Sequence, residues 1–182
     1  MRLLLPAALL LLTGCGERWL VVTASGPPSA LLGKTSFAFT SDVSKLSVGG
    51  KTVEAYVSEK GADTKASFEG DLKGMNDDLL KILKSNKSGW TFSEGGEAEV
   101  QVVSAWTFIE PGVFTAVFNM PTQTTTRISF AIGGQVVDEA EFKAYKDADL
   151  YHPSSGQRMR NCAEDIGDQV LDFLTRANKA PK

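Results

Sequence analysis

Apolar residues in this chain follow two spacings, every second residue and a helical stripe, in the order strands, helix, strands, helix. A period of two turns one face of a strand toward a core, and a period of about 3.6 does the same for one stripe of a helix. Each element therefore has one side to bury, which restricts the chain to a layered α+β fold. Phe37 and Phe39 share a strand face, Leu46 and Val48 alternate up to Gly49-Gly50, and Val53, Ala55 and Val57 alternate after it. Two such runs on either side of Gly-Gly predict a hairpin, because glycine supplies the positive φ of a two-residue turn. Phe68, Leu72, Met75, Leu79, Ile82 and Leu83 then recur at steps of three and four with charges between them, predicting a helix over 63–85 with Asp63 as N-cap and Gly89 closing the segment.

Alternation returns at Trp90. Val100, Val102, Trp106 and Phe108 are expected on one face of a central strand, with Gln101 and Thr107 on the other. Glu110-Pro111-Gly112 breaks this strand, since proline cannot donate to the ladder, and Phe114, Ala116 and Phe118 resume the pattern. Ile128, Phe130 and Ile132 run into Gly133-Gly134, then Val136, Ala140, Phe142 and Ala144 run out as a second hairpin. A last helix follows Pro153, with Ser154 and Gln157 spaced as a capping box and Met159, Cys162, Ile166, Val170, Phe173 and Leu174 on one stripe. The expected fold is α+β, a mainly antiparallel sheet with two helices packed on one face. Gly70, Gly74 and Gly167 each cost ~1 kcal/mol relative to alanine in a helix, a loss that close approach to the sheet would offset.

The first fifteen residues obey different rules. Arg2 precedes ten apolar residues, Leu3 to Leu12, too few to span a bilayer and of the right length for the apolar region of a cleaved export signal. Leu12-Thr13-Gly14-Cys15 resembles the bacterial lipobox, whose cysteine sulfur receives a diacylglyceryl group before cleavage. The resemblance implies residues 1–14 as signal peptide, a lipidated Cys15, and a membrane anchor of two or three acyl chains, each contributing ~0.8 kcal/mol per buried methylene. Gly16 stands where retention in the inner membrane would use aspartate, so the implied address is the outer membrane, facing the periplasm or the surface. Residues 15–34 then read as a tether, with Trp19 to Val22 as a short strand able to join the sheet edge or rest at the membrane interface. Residues 35–178 read as one globular domain and 179–182 as a tail.

Composition narrows the function further. Cleavage would remove one charge, Arg2, taking the net charge of the chain from −3 to about −4, with no basic tract for nucleic acid. Lipidation of Cys15 leaves Cys162 alone, without an internal disulfide, and 42% apolar residues suffice for a core without one. His152 is the single histidine, close to Asp149, Ser154 and Ser155, yet a Ser-His-Asp relay within six loop residues lacks the separation a triad needs, and no Gly-x-Ser-x-Gly elbow occurs. One His and one Cys cannot build a zinc site. Glu94, Glu97 and Glu99, Asp77-Asp78, and Asp138-Glu139-Glu141 have no calcium-loop spacing and read as solvated faces. No cofactor or metal is expected.

The chain also resembles a group of bacterial envelope lipoproteins of uncharacterised function. Leu31-Leu32-Gly33-Lys34, Phe108-Ile109-Glu110-Pro111-Gly112, Val137-Asp138-Glu139, and Arg158 with Ile166-Gly167-Asp168-Gln169-Val170 carry that resemblance. More loosely, the element order is similar to the sheet-and-helix unit of lipoproteins that activate peptidoglycan synthases or build secretion pores. The expected role is a non-catalytic interaction or structural module with an envelope protein partner. Trp106, Phe108, Pro111 and Phe114 are candidate contact residues should their rings lie outside the helix-covered face. A carrier of an apolar ligand or lipid between helices and sheet is the alternative, and a hydrolase built on His152 the least favoured.

Overall fold

The structure is a computed structural model that describes residues 18–115, 119–152 and 154–179, leaving aside the side chains at 62–64 and at Phe114. Cys15 and the residues around it lie outside the described part. Six strands run in the order β1 (Trp19–Thr23), β10 (Gln135–Lys146), β9 (Thr122–Ile132), β6 (Val100–Glu110), β2 (Ser36–Asp42), β5 (Thr91–Glu94). The short β3 (Ser47–Val48) and β4 (Lys51–Thr52) extend this sheet beside the end of β6, and β7 (Val113–Phe114) with β8 (Asn119–Met120) form a separate two-strand ribbon. Two long helices, α2 (Ala62–Lys84) and α3 (Ser155–Ala177), cover one face, with the shorter α1 (Val53–Lys60) beside α2.

The α+β class and the one-sided helix layer are as expected, but the sheet is mixed. β6, β9, β10 and β1 pair antiparallel, while β2 is parallel to both β5 and β6. Parallel neighbours require a crossover connection, and α1 with α2 supply it between β2 and β5. The second strand expected over Val53, Ala55 and Val57 is instead α1. The Thr52 hydroxyl accepts from the Ala55 N–H at 3.2 Å, and Tyr56 sets its ring against Phe68 of α2 at 5.4 Å. That cap and contact override an alternation only three residues long. The helix after it starts at Ala62 with Gly61 in the N-cap position, not at Asp63.

The core runs between the sheet and the two helices. Phe37, Val102, Trp106, Ile128, Phe130 and Phe142 from the sheet meet Met75, Leu79, Leu83, Met159, Ile166 and Val170 from the helices, all buried. The glycines expected to meet the sheet instead seat the helices on each other. A Cβ at Gly167 would lie 2.8 Å from Ile82 Cβ and 3.4 Å from the Leu79 carbonyl, and one at Gly74 would lie 3.0 Å from the Arg160 side chain. One at Gly156 would overlap the Asp71 carboxylate, whereas Gly70 faces open space.

The segment expected as a tether is built into the body from Trp19 onward. Trp19 is buried, its ring 6.1 Å from Phe142 and 5.9 Å from Phe173, with the Arg176 guanidinium 4.6 Å above it. Leu31 is fully buried. Asp138, expected on a solvated face, is buried and accepts from the Ser25 N–H (2.7 Å) and hydroxyl (3.0 Å) and from the Ser29 hydroxyl (2.5 Å). Glu99 likewise accepts from the backbone N–H groups of Thr35 (3.0 Å) and Ser36 (3.2 Å), which hold its carboxyl down at about 2 and fix the entry to β2. Asp78 is buried against Arg160 at 2.6 Å.

Overpacking a helix contact costs about 1–3 kcal/mol where the neighbour cannot yield. Gly167→Ala is therefore expected to lower unfolding stability by about 2 kcal/mol despite alanine's better helix propensity, and Gly70→Ala to leave it equal or higher. Urea denaturation of the two variants side by side checks this.

Candidate functional site

The end of the body where β6 stops is organised by one buried guanidinium. Arg158, in the first turns of α3, is 1% exposed. Its Nε donates to the Thr122 hydroxyl (2.9 Å), Nη1 to the His152 carbonyl (2.9 Å) and Nη2 to the Pro111 carbonyl (3.2 Å). The Thr122 hydroxyl itself donates to the Pro111 carbonyl at 2.6 Å. Burial lowers the Arg158 pKa and the Asp149 carboxylate opposes that shift. Arginine suits this position because its planar fork reaches several acceptors at fixed angles and stays charged when desolvated. The result ties three separate segments together: the break after β6, the start of β9, and the loop 147–152.

Gly112 makes the break possible. Its φ of +68° lies in the left-handed region, and a Cβ there would stand 2.6 Å from the Met120 carbonyl oxygen and 2.8 Å from the Pro121 carbonyl. The ribbon β7–β8 leaves the sheet at this point and leaves Val113 and Met120 exposed. In the neighbouring loop, Asp149 Oδ1 accepts from the N–H groups of Tyr151 (2.8 Å) and His152 (2.7 Å). Against the desolvation that would raise it, these bonds hold the Asp149 carboxyl below its usual value. The same turn pushes Leu150 and Tyr151 into solvent, at 83% and 85% exposure.

The four candidate contact residues do not form one patch. Trp106 is buried under α2, and its indole N–H donates to Asn76 Oδ1 at 2.8 Å. A β-bulge between Trp106 and Phe108 shifts the register, since Trp106 pairs with Thr126 and Phe108 with the adjacent Thr125. The bulge reverses the strand's phase, so Ile109 is buried and Phe108 is only half-buried, contrary to the shared face expected for Trp106 and Phe108. Pro111 is half-buried with its carbonyl engaged by Arg158, and the Phe114 side chain lies outside the described part.

The face of the sheet away from the helices carries a charged ladder. Arg127 lies 3.3 Å from Glu139 and 3.7 Å from Glu141, and Lys143 lies 3.1 Å from Glu141. Leu20 on β1, opposite Glu141, extends this surface to the sheet edge and is exposed. Between helices and sheet, where a carrier would need room, Phe130 stacks on Phe173 at 5.3 Å and Phe142 meets the same ring edge-on at 6.0 Å. A groove of about 450 Å³ between α1 and α2, lined by Val53, Val57, Lys65 and Glu69, lies outside that layer.

His152 stays within its own loop. Its Nδ1 lies 3.1 Å from Asp149 Oδ1, its side chain is 41% exposed, and the Ser154 hydroxyl accepts from the Gln157 N–H as the cap of α3. Among the described residues, no three His, Cys, Asp or Glu side chains gather as a metal site. Cys162 is fully buried with its thiol 3.9 Å from the Thr122 carbonyl, and burial pushes its pKa up to about 12. Arg158, Leu150 and Tyr151 are the residues that pattern reading underrated. The signal for the last two was an apolar pair inside the polar stretch Asp147 to Pro153, where a loop has no core of its own to bury it.

No protein-family profile matches the chain, and no curated protein matches it in sequence. Solved structures are similar at low level. A protein described as a lipoprotein, from Caulobacter crescentus CB15, aligns with a TM-score of 0.42 and 12% identity over 57% of this chain and 83% of its own. The PelC dodecamer from Paraburkholderia phytofirmans aligns with a TM-score of 0.43 and 10% identity over 90% of this chain and 99% of its own. At such scores neither residues nor activity transfer.

Two measurements test the local reading. Arg158→Leu leaves the His152 carbonyl without its donor and removes two further bonds from a cluster in which the Thr122 hydroxyl still donates to the Pro111 carbonyl, so a loss of about 2 kcal/mol in urea unfolding is expected, with Arg158→Lys recovering less than half. The Cys162 thiol ionises later folded than unfolded, so its contribution is complete below about pH 8.5, the unfolded value, and fades as pH rises toward 12. Relative to Cys162→Ala, the native protein should lose about 2.5 kcal/mol between pH 8 and pH 10.5, read from denaturation midpoints at each pH.

Proposed function

We propose that the chain is exported, acylated on Cys15 and held at the outer membrane facing the periplasm, where its folded body acts as a non-catalytic interaction or structural module. The observation that carries this reading is the position of Leu12-Thr13-Gly14-Cys15, which closes an apolar run of ten residues and stands four residues before β1. A signal of that form leaves a lipid on the first residue of the mature chain, and two or three acyl chains anchor far more firmly than one. No described helix is long and apolar enough to cross a membrane, so in this reading attachment falls to the lipid.

The body supports the module reading through its open sheet face and its loop chemistry. The Arg127, Glu139, Glu141 and Lys143 ladder offers alternating charges on a flat surface, a pattern that favours register-specific contact with a protein over capture of a small molecule. His152 engages Asp149 of its own loop, and between β9, β10 and α3 the rings of Phe130, Phe142 and Phe173 pack on one another. The covalent lipid is the one non-protein group the reading requires.

Cys15→Ser tests the anchor directly. The variant is expected to retain residues 1–14, to lack the acyl mass and to leave the outer-membrane fraction, by intact-mass spectrometry and fractionation. An unchanged mass and location would overturn the proposal.

A further inference from the structure

We infer that the exposed apolar tip formed by Leu150 and Tyr151, with Val113 and Met120 beside it, is a membrane-contact surface that seats the body against the bilayer carrying its own lipid. The inference rests on the anchor reading above and adds an orientation to it.

Strand direction makes the first argument. β1 pairs antiparallel with β10, with Trp19 opposite Phe142 and Thr23 opposite Glu139. The N-terminal end of β1 thus points toward the end of the body at which β10 runs on through Lys146 into the loop 147–152. Three residues separate Trp19 from Cys15, four backbone steps that reach at most ~14 Å even when fully extended. Trp19 is locked in the core, so this length cannot grow by peeling β1 away without exposing an aromatic cluster. A lipid on Cys15 therefore holds this end of the body, and not the Gly133-Gly134 end, next to the bilayer.

Chemistry makes the second. Leu150 and Tyr151 are the most exposed large apolar residues described, at 83% and 85%. Their loop does not hang free, because Asp149 holds the Tyr151 and His152 amides and Arg158 holds the His152 carbonyl. The second terminal nitrogen of that guanidinium holds Pro111, at the root of the ribbon bearing Val113 (45% exposed) and Met120 (41% exposed). Loop and ribbon thus stand side by side as a prepared projection. A leucine and a tyrosine at its end match the bilayer interface, which takes apolar side chains and favours aromatic rings with a polar tip.

Electrostatics supply little net attraction, because the exposed Arg18 before β1 is outweighed by carboxylates at the same end. Lys146 at this end is paired with Asp165 at 2.8 Å, while Asp147 and Asp149 are exposed. Contact should accordingly depend on apolar insertion and withstand salt. Two large side chains are too few to bind a vesicle alone, but the anchor raises their local concentration enough for them to matter.

The test uses the acylated mature protein in phosphatidylethanolamine and phosphatidylglycerol vesicles. An environment-sensitive fluorophore is placed on Leu150→Cys or, at the far end of β10, on Gln135→Cys; Cys162 is buried and stays unlabelled. Spin-labelled lipid is expected to quench the probe at 150 at least about threefold more than that at 135, with no loss at about 0.5 M salt, where surface charges are screened beyond a few Å. Adding Tyr151→Asp to the probe-150 protein should reduce its quenching toward the level at 135. Equal quenching at both positions in protein of confirmed acylated mass would overturn the membrane contact and leave the anchor standing. A probe-150 signal that follows protein concentration and not lipid would overturn it in favour of a second copy of this chain. A mass without acyl chains would overturn the anchor itself.

Discussion

The insertion of Trp19 between Phe142 and Phe173, under the Arg176 guanidinium, is the contact on which the arrangement of the molecule depends. It turns a stretch of sequence that composition alone reads as linker into the edge strand of the sheet, and it sets where the chain enters the body. An indole packed on two aromatic rings with a cation over its face combines area burial with directional terms worth ~1 kcal/mol or more apiece. The Asp138 carboxylate then captures Ser25 and Ser29, so the chain stays on the body through Leu31 as well. With entry fixed in this way, only a few residues separate Cys15 from a rigid scaffold.

At the same end, Arg158 does for three loops what the sheet does for strands. Its donors reach the Pro111 and His152 carbonyls and the Thr122 hydroxyl, three groups from segments that meet at the end of the sheet. A hydrophobic residue of equal size could fill the space but could not fix the angle between the ribbon and the loop. The buried ion thus serves shape, and the exposed leucine and tyrosine beside it are presented in one orientation.

Periodicity made the long elements legible because each had to bury one face over many residues. The stripe from Phe68 to Leu83, the stripe from Met159 to Leu174 and the two-residue hairpin at Gly133-Gly134 all lie where their spacing predicts. Short patterns failed where a local contact outweighed them. Val53, Ala55 and Val57 alternate like a strand but sit in α1, because Thr52 caps a turn and Tyr56 finds Phe68. Phe108 left the face of Trp106 because a single inserted residue reverses every side chain beyond it, and no pattern of hydrophobicity announces a bulge in advance. Parallel pairing of β2 with β5 and β6 was equally invisible, since strand neighbours are chosen by the path of the crossover helices. At the candidate site the Pro-Gly break was legible, whereas the partners of Arg158 come from segments far apart in sequence.

Ser25 and Asp138 are separated by 113 positions, and this long span bears on how the protein matures. A chain is made N-terminus first, so β1 has nothing to pair with until β10 has followed it. During that interval Trp19 lacks Phe142 and Phe173, the rings it packs on. Closure of this edge therefore waits on the second half of the chain, and the first strand of the sheet is held by partners made long after it.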